Sequence, residues 1–412
     1  MPLNRPLLTC RQFLLAVLFF SAAACVPQPP VPPVILPPVL TPPVTEVQKL
    51  QAVGWSAVQG WPGINLDASV DAFVQSCRVL RNRTGWESVC AEVQMLDRND
   101  VPAMVKFFET RFVPHQVNNP DGSTAGLITG YYVPDLRGSR VRTERYRYPI
   151  YAPPDDMLVI DLSSVYPELG TYRLRGRIEG RRVVPYYARG ELDQGVAGLN
   201  GRELLWVDDP VELFFLHIQG SGRIQCENGE NIMVNYADQN GHPFRSIGKL
   251  LLDRGEMTRS QMSMQNIRTW VKNHPEQASG LLNENPSYVF FRELAADVQS
   301  PPGALGVPLT PEVSIAVDPR TIPLGAPVFL ATTWPLNPQP LERLMVAQDT
   351  GGAIKGAVRA DFFWGMGHEA GALAGRMKQD GRLWVLLPRP DAPQAEDDTD
   401  LIAKKAAAAS GS

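Results

Sequence analysis

Proline placement is what most limits the ways this chain can fold. Residues 26–48 carry nine prolines, mostly as Pro-Pro pairs separated by Val, Ile and Leu. Proline fixes φ and has no amide donor, so this segment can enter neither a helix interior nor a central strand. It favours extended polyproline II and reads as a semi-rigid stalk. The whole chain has 38 prolines in 412 residues, about 9% where about 5% is usual. Pro2, Pro6 and Pro393 lie outside stalk and body, which leaves 26 prolines between Lys49 and Pro390. That moderate excess suits strands joined by many turns. With 44% apolar residues overall, the body has enough core-forming side chains to fold.

The stalk follows a leader. Arg5 and Arg11 precede the apolar run Phe13 to Phe20, then Ser21-Ala22-Ala23-Ala24-Cys25. This is the pattern of an export signal, and the run is too short to span a bilayer. A Cys directly after small residues is also the bacterial lipoprotein pattern, although Ala22 stands where Leu is more usual. The expectation is a signal peptide over 1–24, then lipidated Cys25 and the stalk over 25–48, with acyl chains holding a soluble body near a membrane. Ordinary secretion, with Cys25 a bystander, is the alternative. Val26 is not the Asp that favours inner-membrane retention, so the outer membrane, facing the periplasm, is the expected location.

Residues 66–112 have helical texture. Val70, Phe73, Val74, Cys77 and Leu80 fall on one face, as do Trp86, Val89, Cys90 and Val93. Both thiols therefore face one interior, as a Cys77–Cys90 bridge or as two buried free thiols; if bridged, they leave Cys226 unpaired. A third helix starts at Asp100 as N-cap and runs through Met104, Phe107, Phe108 and Phe112. Short β-like runs follow at Tyr148–Ala152, Leu158–Leu162, Val183–Tyr187, Glu203–Val207 and Leu213–Gln219. A helix is expected over Thr258–Asn273, stopped by His274-Pro275, and β texture returns at Ser314–Asp318, Pro327–Ala331, Leu344–Gln348 and Leu383–Leu387. The fold class is mainly β with N-terminal helices. The acidic, then Ala-rich tail over 391–412 reads as disordered.

A formal net charge of −4 with no Lys/Arg-dense run argues against nucleic acid as a partner. A neutral polymer or small molecule fits better. His115, His217, His242, His274 and His368 are scattered, with no helical pair and no Cys-x-x-Cys, so neither a metal nor another cofactor is expected. No Gly-Lys-Ser/Thr closes a phosphate loop, and Gly220-Ser221-Gly222 lacks the spacing of a nucleophile elbow. Carboxylates remain. Asp349 ends an apolar run before Thr350-Gly351-Gly352, and Asp361 precedes Phe362, Phe363 and Trp364. Desolvation by aromatic neighbours would let Asp361 keep a proton near neutral pH and act as a general acid. The plainer reading has Asp361 capping the Gly-rich helix after it and Asp349 making a turn.

Several motifs occur in one order: Thr129-Gly130-Tyr131-Tyr132, Ile218-Gln219-Gly220-Ser221-Gly222, Asn240-Gly241-His242-Pro243-Phe244-Arg245, Asn285-Pro286-Ser287-Tyr288, Ala316-Val317-Asp318-Pro319, Asp349-Thr350-Gly351-Gly352-Ala353-Ile354-Lys355-Gly356 and Arg359-Ala360-Asp361. In these the chain resembles the membrane-bound lytic murein transglycosylase A (MltA) family, with a C-terminal three-aspartate (3D) domain. The resemblance implies a double-psi β-barrel over 49–138 and 275–390, its 3D domain at about 305–388. A second β-rich domain is inserted over 139–274, with a polysaccharide groove between the two. It implies cleavage of the β-1,4 bond between N-acetylmuramic acid and N-acetylglucosamine without water, leaving a 1,6-anhydro sugar. Asp361 would be the general acid and base, with Asp349 supporting it and Asp318 structural. Thr129, Gly130, Tyr131, Tyr132, Gln219, Gly220, Ser221, Ser287, Gly352 and Lys355 would grip the glycan or support the fold. Peptidoglycan strands are the implied partner, with the enzyme a monomer that could join a cell-wall synthesis complex. Two other readings stay open: a glycoside hydrolase using Asp349 with Asp361, and a wall-binding lipoprotein without catalysis.

Overall fold

The computed structural model of the chain describes residues 47–64, 66–195 and 198–390. The expected export signal, Cys25, nearly all of the expected stalk and the tail expected to be disordered lie outside the described residues. Among those described, no helix is long and apolar enough to cross a membrane.

The N-terminal helical pattern is realised as Leu66–Leu80, Glu87–Val93 and Val101–Arg111. Asp100 caps the third helix by accepting from the Ala103 amide at 2.9 Å, with Pro102 in the first turn. Phe112, expected to continue this helix, instead opens the strand Phe112–Val117. Val70, Phe73, Cys77, Val89, Cys90, Phe108 and Phe112 share one core, and Cys77 and Cys90 are joined by a disulfide.

That helical layer covers one side of a closed ring of six strands. In order around the ring they are Gly126–Val133, Arg359–Met366, Ser314–Val317, Pro340–Asp349, Pro327–Thr333 and Lys378–Pro388, which pairs back to Gly126–Val133. Alternation along each strand divides the side chains between two faces. Ile128, Ile315, Val317, Val328, Leu330, Met345, Ala347, Ala360, Phe362, Leu383 and Val385 fill the interior. Phe329, Leu344, Val346, Trp384 and Leu386 face outward under the helices. Gln348 pins this contact: its side-chain amide donates to Ala72 O at 2.9 Å and Ser76 Oγ at 3.0 Å, and its Oε1 accepts from Ser314 Oγ. The strand end that carries Asp349 is thereby held.

A second, six-stranded sheet runs Val289–Glu293, Asn231–Gln239, Ser221–Cys226, Asp135–Ser139, Glu203–Val207 and Tyr148–Tyr151. A small sheet of Leu158–Val159, Arg175–Glu179 and Arg182–Pro185 lies beside it in sequence. The strands Gly126–Val133 and Asp135–Ser139 are separated by Pro134 alone, so the chain passes between the two large sheets in one residue. Val289–Glu293, within the segment the resemblance gave to the barrel, pairs with Asn231–Gln239 in the second sheet.

The expected strand over Leu213–Gln219 is a helix, Pro210–Gln219. Its start is explicit in the sequence: Asp209 accepts from the Val211 and Glu212 amides, and Pro210 occupies the first turn. The run looked like a buried strand because the helix is wedged between two cores. Leu213 and Leu216 face one, Val211, Phe214 and Phe215 the other, so apolar side chains on two faces mask the helical period. It stops at Gly220, whose φ of 79° is the left-handed conformation of a helix C-terminus. The helix expected over Thr258–Asn273 is confined to Met264–Asn273, after a short 3₁₀ turn at Arg259–Gln261. Pro275, read as a stop, also opens the next helix, Pro275–Asn283.

Candidate active site

Register across the barrel brings the two aspartates to one level. Asp349 and Asp361 both pair with Ala316, from the parallel and the antiparallel neighbour of its strand, and Asp361 pairs on its other side with Thr129. Lys378 continues the row beyond Thr129. Ile315 and Val317 point into the barrel, so this row lies on its outer face. There Tyr131, Ala316, Ile354 and Phe363 pack with Leu309 and with Met233 of the second sheet. Ala316 contributes only a methyl group between the two acidic strands, which are about 10 Å apart at two strand spacings.

Asp361 is partly accessible and sits within the strand Arg359–Met366. It therefore caps no helix. Of the three aromatics after it, Phe362 and Trp364 turn into the interior and Phe363 shares its face. Its Oδ1 accepts from Thr129 Oγ1 at 2.5 Å. Oδ2 has no hydrogen-bond partner among the described residues. Burial pushes the Asp361 carboxyl above the ordinary range, opposed by the Thr129 hydrogen bond and the positive charge of Arg359.

Asp349 is held differently. Its Oδ1 accepts from the amides of Thr350 at 2.8 Å and Ala304 at 2.9 Å, while Oδ2 accepts from the Tyr131 hydroxyl at 3.1 Å. The turn foreseen for Asp349-Thr350-Gly351 and a site role are thus compatible. Burial pushes Asp349 up to about 6, against the pull of those three donors, and the neighbouring Asp361 charge adds to the rise. Tyr131 itself is raised well above its usual value by burial and by both carboxylates.

The other expected site residues divide. Gly130 backs onto the Trp364 indole and Ala374, leaving no room for a side chain. Tyr132 is buried in the barrel core. Its amide donates to Gln219 Oε1 at 3.0 Å and its hydroxyl accepts from Arg268 at 3.2 Å, so Tyr132 ties the barrel strand to the helices Pro210–Gln219 and Met264–Asn273. Gly220 ends the helix before Ser221, whose Oγ accepts from Asn235 at 2.8 Å. Ser287 lies just before Val289–Glu293 of the second sheet, its carbonyl taken by the buried Arg189 at 2.7 Å. Gly352 and Lys355 are exposed on the turn after Asp349. Asp318, 2% exposed, anchors the far end of that turn through the Gly356 amide at 2.9 Å and pairs with Arg320 at 2.6 Å. Among the described residues no group of three or more His, Cys, Asp or Glu could hold a metal ion.

Sequence reasoning passed over Arg359 and Ala316. Arg359 donates to Thr129 Oγ1 at 2.8 Å. A usable signal existed: residues two apart on a strand share a face, so Arg359 must lie beside Asp361.

Comparison with known proteins follows the same lines. The family model described as MltA specific insert domain matches residues 127–292, and that described as 3D domain matches 313–387. The chain is 37% identical over 285 residues to membrane-bound lytic murein transglycosylase A of Escherichia coli (strain K12), an alignment covering 67% of this chain and 70% of that protein. A crystal structure of MltA from Neisseria gonorrhoeae is 42% identical with a TM-score of 0.71, covering 84% of this chain and 94% of that one. One of E. coli MltA with bound chitohexaose is 30% identical with a TM-score of 0.65, covering 83% and 95%.

Proposed function

This chain belongs to the membrane-bound lytic murein transglycosylase A family, and from that membership we propose that it cleaves the β-1,4 MurNAc–GlcNAc bond of peptidoglycan without water, with Asp361 as the single general acid and base. The observation that carries the assignment is the contrast between the two carboxylates. Asp361 keeps Oδ2 without a partner among the described residues, whereas both oxygens of Asp349 are engaged by donors. Asp361 protonates the glycosidic oxygen as the bond to the muramic C1 breaks. Its carboxylate then takes the proton of the C6 hydroxyl as that oxygen closes on C1, which gives the 1,6-anhydro end. An intramolecular nucleophile needs positioning rather than activation of water. Asp349, ionised above about pH 6, supports the positive charge that develops on the sugar ring.

A hydrolase would need Asp349 to attack or to hold a water. Its commitments to Tyr131, Ala304 and Thr350 favour the lytic reading instead. We take the ring of six strands as the double-psi barrel and the groove against the inserted domain as the glycan path. Sheet membership supports drawing the domain boundaries near residues 134 and 294. Lipidation at Cys25, the outer membrane facing the periplasm, a monomeric enzyme and a place in a cell-wall synthesis complex complete the proposal.

Digestion of purified sacculi by wild type and by Asp361→Asn, followed by mass analysis, tests it. The expected wild-type products are lighter by one water than hydrolysis products, and the variant binds sacculi but releases nothing. Undiminished release by Asp361→Asn overturns the assignment of Asp361; reducing muramic ends overturn the lytic reaction.

A further inference from the structure

We propose that Arg359 is a positioning residue that acts through the Thr129 hydroxyl to keep the acid proton of Asp361 on Oδ2. The proposal rests on Asp361 being the proton donor and concerns what aims that proton.

A threonine hydroxyl has one proton and can accept hydrogen bonds. Arg359 is a donor only, so at 2.8 Å it occupies a lone pair of Thr129 Oγ1. The hydroxyl proton must then find an acceptor elsewhere, and Asp361 Oδ1, at 2.5 Å, is the one Thr129 Oγ1 contacts among the described residues. If Oδ1 carried the acid proton, it would have to donate to Thr129 and strand the hydroxyl proton in a partly buried site. A buried donor left without a hydrogen bond is disfavoured. The favoured arrangement runs Arg359 to Thr129 to Oδ1, which leaves the acid proton on the partner-free Oδ2. As that proton leaves, the Thr129 hydrogen bond becomes charge-assisted and strengthens, so the relay favours the transition state over the resting acid.

Geometry makes Arg359 specific to this task. It reaches Asp361 through the Thr129 hydroxyl, although the two are two residues apart on one strand. Its guanidinium is also fastened to the carbonyls of Leu127, at 3.3 Å, and Ala360. Leu127 belongs to the strand that bears Thr129, so the fork spans both partners of the relay. The other ionisable groups facing Asp361 are Asp349 from Pro340–Asp349 and Tyr131 from Gly126–Val133, with exposed Lys378 at the level of Thr129 on Lys378–Pro388.

Steady-state kinetics across pH, with full-length Arg359→Met, Arg359→Lys, Thr129→Val and the Arg359→Met/Thr129→Val double variant, test the relay, with sacculus binding and melting temperature as folding controls. Arg359→Met is expected to lower kcat about 10- to 100-fold with KM little changed. It should also move the limb where activity falls with rising pH to higher pH, because the acid loses a positive neighbour. Arg359→Lys should recover part of kcat. In the Thr129→Val background, removing Arg359 should cost less than threefold more. Independent, multiplicative losses in the double variant, or an unmoved pH limb in Arg359→Met with binding intact, overturn the relay. Neither result touches the role of Asp361, which fails only if Asp361→Asn stays active.

Discussion

Asp349 and Asp361 are each a register partner of Ala316, approached from opposite sides, so the two carboxylates stand on one row with a single methyl group between them. Both are pushed upward by burial, yet one is saturated with donors and the other is half free. That asymmetry has several measurable consequences.

Asp349 should carry a stability cost at neutral pH. Its folded value of about 6 lies above the ordinary 3.8. A raised value means the contribution to stability is fully present below about pH 4 and is lost as pH rises through about 6. Asparagine can keep the geometry, accepting from Ala304 and Thr350 while its amide faces Tyr131. Asp349→Asn is therefore expected to be more stable than wild type by about 1–3 kcal/mol at pH 8, with the gain vanishing near pH 4. Its kcat should fall about 100-fold. Urea melts at both pH values and initial rates on sacculi check the pair of effects.

Asp318 predicts the opposite slope. Arg320 and the amides of Arg320 and Gly356 hold its carboxyl far below the ordinary range. A lowered value means the stabilisation is present above about pH 4 and is lost as pH falls below it. Asp318→Asn should lose about 1–3 kcal/mol at pH 7, and the difference from wild type should shrink toward pH 2. Equal deficits at pH 7 and pH 2 in denaturant titrations would contradict a charge-based anchor.

The Cys77–Cys90 disulfide closes a separation of 13 residues, for which loop entropy suggests about 3 kcal/mol. Cys77→Ala with Cys90→Ala should lower the melting temperature while leaving kcat at 25 °C within twofold, because this core lies under the helices rather than on the Asp349 row. A reductant should lower the wild-type melting temperature and leave the double variant unmoved.

Gly130 is expected to tolerate no side chain. A Cβ there would lie 2.6 Å from Trp364 Nε1 and 2.9 Å from Ala374 Cα, a rigid ring and a helix backbone. Gly130→Ala should cost about 1–3 kcal/mol and reduce kcat, since its strand neighbours are Thr129 and Tyr131. Calorimetry with parallel rate measurements separates this from a glycan-contact role, which would raise KM without lowering the melting temperature.

Much of this protein was legible in the sequence wherever the signal is local. The 3.6-residue spacing through Val70, Phe73 and Cys77 and the Asp100 cap give the N-terminal helices, because a helix closes its hydrogen bonds within four residues. Asp349 and Asp361 stood out as carboxylates among apolar and glycine neighbours, and the motif order pointed to their family. The apolar run Leu213–Gln219 was misread because a helix with apolar side chains on two faces shows no clear helical period, and only its two flanking cores decide it. Register is likewise non-local. Nothing near Thr129, 232 residues from Asp361, says that the two are partners, and nothing near Ala316 says that it separates two acids. Residue types and local periodicity therefore determined which groups could do chemistry. The closing of the barrel, which pairs strands far apart in the chain, decided which oxygen is held, which is free, and that Arg359 stands behind them.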